Sequence, residues 1–367
     1  MSAATVSRGA RRFLLASAVA LPLALAADLA GLPRRTFVAL ALYGFVLHAL
    51  FGKAYSLVPS YFDRRLAFPR APAVHLPLSV LGVVGLALDP LSGTPPLVGT
   101  AGAVGWALGV GVFLAALGWT LRGNLAGAET GTGEANAERR PVDRFANAFV
   151  PVVLGYLALG SYEVLAGATG LPSVLGPYPP RATHLLGAGT AALLVFAVGF
   201  RLLPRFLVAR PPRTLVAVVL PSGAVGPLLL AASLVRRGTL FRAGAALEAV
   251  AVVGFALAFL LLFVRSDRRR VGFYGVLAGA AAGVLAVTVG LWLAFVGANG
   301  SLVPAHLRLN LVGFLGLTVV GVSYQFYPPA VGTFPGAGDR TALVALGALA
   351  GGLALTAAGL LAGATWL

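Results

Sequence analysis

Cysteine is absent from this chain of 367 residues, lysine occurs once, and acidic residues number only 11. Without thiols there are no disulfides, iron–sulfur clusters or thiolate metal sites, and the redox compartment leaves no mark on the composition. Charge of either sign is scarce: Asp, Glu, Lys and Arg make up 10% of the residues, where a soluble domain carries about 25%. With 59% apolar residues and a mean hydropathy of +0.92, the chain is too hydrophobic for a soluble enzyme, and its composition is that of a polytopic membrane protein. The net charge of +16 does not mark a nucleic-acid partner, because the arginines fall in short clusters between apolar runs.

What is abundant is small and apolar. The 48 glycines suit helices that pack closely in lipid, where no hydrophobic drive holds them together. Runs long enough to cross about 30 Å of hydrocarbon predict an all-α bundle of eleven spans, near 13–31, 36–59, 74–89, 97–121, 146–167, 183–204, 214–235, 239–264, 272–297, 304–328 and 342–365. The loops on the side of the N-terminus carry 18 arginines, from Arg8 to Arg340, and those on the other side carry six. That bias predicts a cytoplasmic N-terminus and an external C-terminus in the inner, or cytoplasmic, membrane. Residues 8–27 also fit the pattern of a signal peptide, but an uncleaved first helix is preferred because the internal repeat needs it. Residues 122–145, rich in Gly, Ala, Glu and Arg, read as a flexible cytoplasmic linker, and residues 171–181 as a proline-stiffened outer loop.

The repeat shows in three motifs. Tyr55-Ser-Leu-Val-Pro59, Phe200-Arg-Leu-Leu-Pro204 and Tyr324-Gln-Phe-Tyr-Pro328 each place an aromatic four residues before a proline at the end of an apolar span. The copies are 145 and 124 residues apart, the length of four membrane helices with their loops. Quasi-repeats are therefore expected at 1–121, 146–265 and 272–367, the last with three helices, inside a single membrane domain.

Polar groups inside spans are functional candidates, because burying them in hydrocarbon costs free energy unless they find partners. Histidines 48, 184 and 306 lie on the second, sixth and tenth spans, the ones that end in the motif. Counted back from the motif proline, His184 lies 20 residues away, His306 22 and His48 only 11. At 1.5 Å per residue, His184 and His306 are within about 3 Å in depth, so these two are the pair that could share a haem or a metal ion. His75 is expected at the interface, and Lys53 and Arg201 to snorkel towards the cytoplasm. Asp28 and Glu163 are expected to be hydrated near the outer face. Glu248, deep in the eighth span, needs a proton or a partner such as Arg308. Asn310 and Tyr324 complete the intramembrane polar set.

His306-Leu-Arg308-Leu-Asn310-Leu-Val-Gly313-Phe-Leu-Gly316 through Tyr324-Gln-Phe-Tyr-Pro328 resembles the tenth helix of haem–copper oxidase subunit I and its NnrS-like relatives. Those read His-x-His-Leu-Asn-Leu-Leu-Gly-Trp-Val-Gly-Leu and end in Tyr-His-x-x-Pro. The span from Thr183 to Pro204 resembles the corresponding earlier repeat. The resemblance implies three sets of four helices with metal ligands on the second, sixth, seventh and tenth. It also implies at most one haem b or one metal ion, at His184 and His306, with Arg308 towards a propionate or another anion, and other respiratory membrane subunits as partners. The chain departs from the pattern too: Arg308 replaces the second histidine of His-x-His, Gln325 replaces another, and the seventh span has none. That leaves too few imidazoles for an oxygen or nitric oxide reductase. The expected function is non-catalytic, accessory or sensing, in respiration or nitrogen-oxide metabolism. A transporter or channel, and a structural or assembly protein without cofactor, are the alternatives.

Overall fold

The computed structural model describes residues 3–297, 300–326, 336 and 338–362. Among them the chain is helical with no strand, and eleven helices are long and apolar enough to cross a membrane. We number these α1 (Ala4–Leu29), α2 (Arg34–Tyr61), α3 (Ala71–Leu88), α4 (Pro96–Leu121), α5 (Val150–Thr169), α6 (Pro179–Phe206), α7 (Arg213–Ser233), α8 (Thr239–Val264), α9 (Val271–Phe295), α10 (Leu302–Phe326) and α11 (Asp339–Leu361). The protein is thus a multi-pass helical membrane protein. Its chain divides into two compact units, Met1–Ala197 and Val198–Leu367, the boundary falling within α6.

Burial sorts the helices. In the most apolar stretches of α2 and α6, 78% of residues are buried and in α10 67%, against 28% in α1 and 22% in α11. The outer helices instead present side chains such as Leu29, Leu97 and Val344 outward, the expected face towards acyl chains. Glycine sets how closely neighbours approach. A Cβ on Gly82 would lie 2.5 Å from the backbone nitrogen of Trp106, joining α3 to α4. In the second unit, a Cβ on Gly321 of α10 would lie 2.6 Å from the carbonyl oxygen of Gly272 on α9.

The helices with the most buried stretches share a further feature. Each is interrupted by a π-helical segment: Ala39–Leu47 in α2, Leu185–Ala192 in α6 and Leu309–Leu317 in α10. The π geometry, with its i→i+5 bonding, is rare and usually limited to a single turn, and it is frequent at functional sites. Nearly every residue in these segments is buried.

Two expectations need correction here. The first helix begins before its apolar run and carries Arg8, Arg11 and Arg12 as exposed helical residues, because no breaker precedes them. The segment after α4 is folded rather than a flexible linker. Asn124 Nδ2 donates to the carbonyls of Phe62 (3.1 Å) and Glu129 (2.9 Å), and Asn147 Nδ2 donates to that of Tyr61 (2.8 Å). These side chains satisfy carbonyls at the C-terminal end of α2 that have no intrahelical donor. Arg64 pairs with Glu129 at 2.5 Å, and a short helix, Arg140–Asn147, leads into α5. Composition reads such a stretch as solvated; two asparagines in capping positions decide otherwise.

Candidate functional site

The three π segments and the three aromatic-x3-proline motifs keep one spacing. The segments begin 20, 19 and 19 residues before Pro59, Pro204 and Pro328, and end 12, 12 and 11 before them. Pro328 itself lies outside the described residues. His184 and Arg308 each immediately precede a π segment, so they hold the same place in their spans. His48 immediately follows one. His184 belongs to the first unit and His306 to the second, and each is described within its own unit.

All three of these imidazoles give Nδ1–H to a backbone carbonyl: His48 to Tyr43 (2.7 Å), His184 to Pro180 (2.8 Å) and His306 to Ala286 of α9 (2.9 Å). A carbonyl only accepts, so this nitrogen carries the proton and Nε2 keeps a lone pair, the tautomer a metal or haem iron needs. The Nε2 of His48 is used by Ser79 Oγ at 3.1 Å. That of His306 has Asn310 Nδ2 at 3.4 Å, while the same amide donates to the His306 carbonyl at 2.8 Å. The half-buried ring of His306 lies against Gly290, where a Cβ would come within 2.9 Å of Cε1. Arg308 and Tyr324 are half-buried on α10. Among the described residues no three of His, Cys, Asp and Glu come together in a way that could hold a metal ion.

No known family profile and no curated protein matches the chain. The site is accordingly read from its own geometry.

Several groups sit elsewhere than the sequence indicated. His75 is 0% exposed, not interfacial, and its Nδ1 meets the hydroxyl of Tyr55 at 3.2 Å. Rings of Phe13, Phe51 and Phe113 surround it at centroid distances of 4.8, 4.7 and 5.7 Å. Position along a span says nothing about which face a residue presents; the signal was Ser79, one turn on from His75 in an otherwise apolar helix. Arg201 is buried as well, not snorkelling. Glu163 is buried and shapes the loop after α5: it accepts the N–H groups of Val174 (2.9 Å) and Leu175 (3.1 Å) and the Ser173 hydroxyl. Glu248 is 9% exposed, with one carboxylate oxygen lacking any hydrogen-bond partner. It is pressed against Gly226 of α7, where a Cβ would lie 2.7 Å from Oε1.

Proposed function

We propose that the chain is a non-catalytic relative of haem–copper oxidase subunit I that holds at most one haem b, or one metal ion, in an accessory or sensing role in respiration or nitrogen-oxide metabolism. The observation that supports this reading most is the shared spacing of the π segments and the proline motifs on α2, α6 and α10. Two unrelated signals keep one offset from each other in all three copies, on helices where the resemblance puts cofactor ligands. His184 or His306 would give Nε2 to the iron, and Arg308 would pair with a propionate through its planar fork of donors. Bound haem would supply an iron centre able to exchange electrons or take a small ligand. In this reading the partners are lipid and other respiratory membrane subunits.

The test is the absorption spectrum of the protein expressed with haem and metals supplied. A Soret band, or metal in elemental analysis, that is lost in His184→Ala or His306→Ala and kept in His48→Ala is the expected result. A colourless, metal-free protein refutes the reading and leaves a structural or assembly role. The transporter alternative rests on Glu248 and on Pro221 and Pro227 inside α7; it requires a transported solute that raises thermal stability. We orient the chain with its N-terminus in the cytoplasm. A reporter fused after Arg144 should then be cytoplasmic and one after Leu367 external, and finding both on one side refutes that orientation.

A further inference from the structure

A second cluster of polar groups lies in the first unit, on α2 and α3, away from both histidines used above. Its distances define a nearly continuous chain. Tyr55 OH lies 3.2 Å from His75 Nδ1, Ser79 Oγ lies 3.1 Å from His48 Nε2, and His48 Nδ1 lies 2.7 Å from the Tyr43 carbonyl. The one break is at His75 Nε2, which is buried and has no hydrogen-bond partner. Ser79 is four residues after His75 on the same helix, so the two side chains lie one above the other.

The last acceptor sets the direction of the bonds at His48. The Tyr43 carbonyl requires the proton on His48 Nδ1, so His48 Nε2 accepts and the Ser79 hydroxyl donates to it. The one hydroxyl proton of Ser79 has two acceptors at 3.1 Å, His48 Nε2 and the Leu76 carbonyl, and with that proton on His48 the lone pairs of Ser79 Oγ remain to accept. At the other end the bond between the Tyr55 hydroxyl and His75 Nδ1 can run either way; with Tyr55 as the donor, the His75 proton sits on Nε2, the buried nitrogen that has no partner. A buried N–H on His75 and a buried hydroxyl oxygen on Ser79, one helical turn apart on α3, are thus left to satisfy. A water molecule with two or more polar partners is the usual occupant of such a place. Gly109 of α4 flanks it: a Cβ there would come within 3.1 Å of His75 Cδ2 and 3.2 Å of Ser79 Cβ, so any side chain would close the gap.

We propose that one internal water molecule accepts from His75 Nε2–H and donates to Ser79 Oγ, completing a one-way hydrogen-bonded chain from Tyr55 to Tyr43. The water site fixes opposite tautomers on two buried histidines, protonated at Nε2 on His75 and at Nδ1 on His48. It does not depend on the haem reading.

The test uses the full-length protein in lipid bilayers, labelled with nitrogen-15 in its four histidines and studied by solid-state NMR. Single histidine variants assign the signals. Expected are the two opposite tautomers and transfer of polarisation from water protons to His75 Nε2. That transfer is lost in Ser79→Ala and in Gly109→Ala, while Tyr55→Phe releases the His75 tautomer and leaves the fold intact. No transfer to His75 in the wild type, a His75 proton on Nδ1, or transfer unchanged in both Ser79→Ala and Gly109→Ala would each overturn the proposal.

Discussion

Phe13→Ala probes what holds the first unit together. Phe13 is 0% exposed, and its ring lies 4.8 Å from that of His75, 5.6 Å from His48 and 6.0 Å from Tyr55. In a water-soluble core, Phe→Ala costs about 3–5 kcal/mol, of which part is the transfer of the ring to water on unfolding. In a bilayer the unfolded helix leaves the ring in hydrocarbon, so that part drops out and the packing defect remains. At about 24 cal/mol per Å³, a residual cavity of roughly 100 Å³ costs about 2.4 kcal/mol. Reversible unfolding in bicelles, followed through Trp106 fluorescence, measures the difference. A loss of about 1.5–2.5 kcal/mol is expected. A value near zero would show that the aromatic cluster does not hold the unit together, and one well above about 3 kcal/mol would show that Phe13 reaches water on unfolding, contradicting a membrane-embedded α1.

Gly321→Ala should destabilise the second unit by about 1–3 kcal/mol, since its Cβ would overlap the backbone of α9; unchanged thermal stability would show that the two helices do not cross there. Glu248→Gln should leave stability unchanged or raise it, because it removes the cost of ionising a buried carboxyl whose Oε1 has no hydrogen-bond partner; a loss of about 3–5 kcal/mol, the cost of breaking a buried pair, would reveal a cation beside it. The Arg64 guanidinium holds the exposed Glu129 carboxyl below the usual carboxylate range, chiefly through their hydrogen bond. The contribution of that pair is present above the ordinary carboxylate pKa and is lost as pH falls through the lowered one. Melting temperatures of wild type and Glu129→Gln should therefore differ at neutral pH and low salt and converge in acid; a difference that persists in acid contradicts this.

Much of the architecture was readable because membrane insertion leaves coarse marks. Apolar runs located all eleven helices, and the aromatic-x3-proline motif singled out α2, α6 and α10 before their deep burial was known. The π segments were not readable. Their residues, such as Leu-Leu-Gly-Ala-Gly-Thr-Ala-Ala in α6, are as compatible with an α-helix as with a wider turn, and packing on all sides selects between them. Depth along each span, legible in the sequence, separates His184 and His306 from His48 but leaves open the face each side chain presents. That is why His75 escaped, and why Arg308 was offered as a partner to Glu248. Asn124 and Asn147 escaped for another reason: a cap is recognised only when the helix end it serves, 62 to 86 residues away in sequence, is known.

The folded cap over the end of α2 also bears on how the protein meets proteases. Arg122, Arg139, Arg140 and Arg144 would make this stretch the first target of a trypsin-like enzyme if it were loose. Cleavage needs an extended backbone, and here the stretch is tied down by the asparagine side-chain bonds to Tyr61 and Phe62 and by the Thr132 hydroxyl on Asp143. The stretch that looks like a natural place to cut the chain, or to splice in a foreign domain, is therefore one of the places where it would tolerate neither.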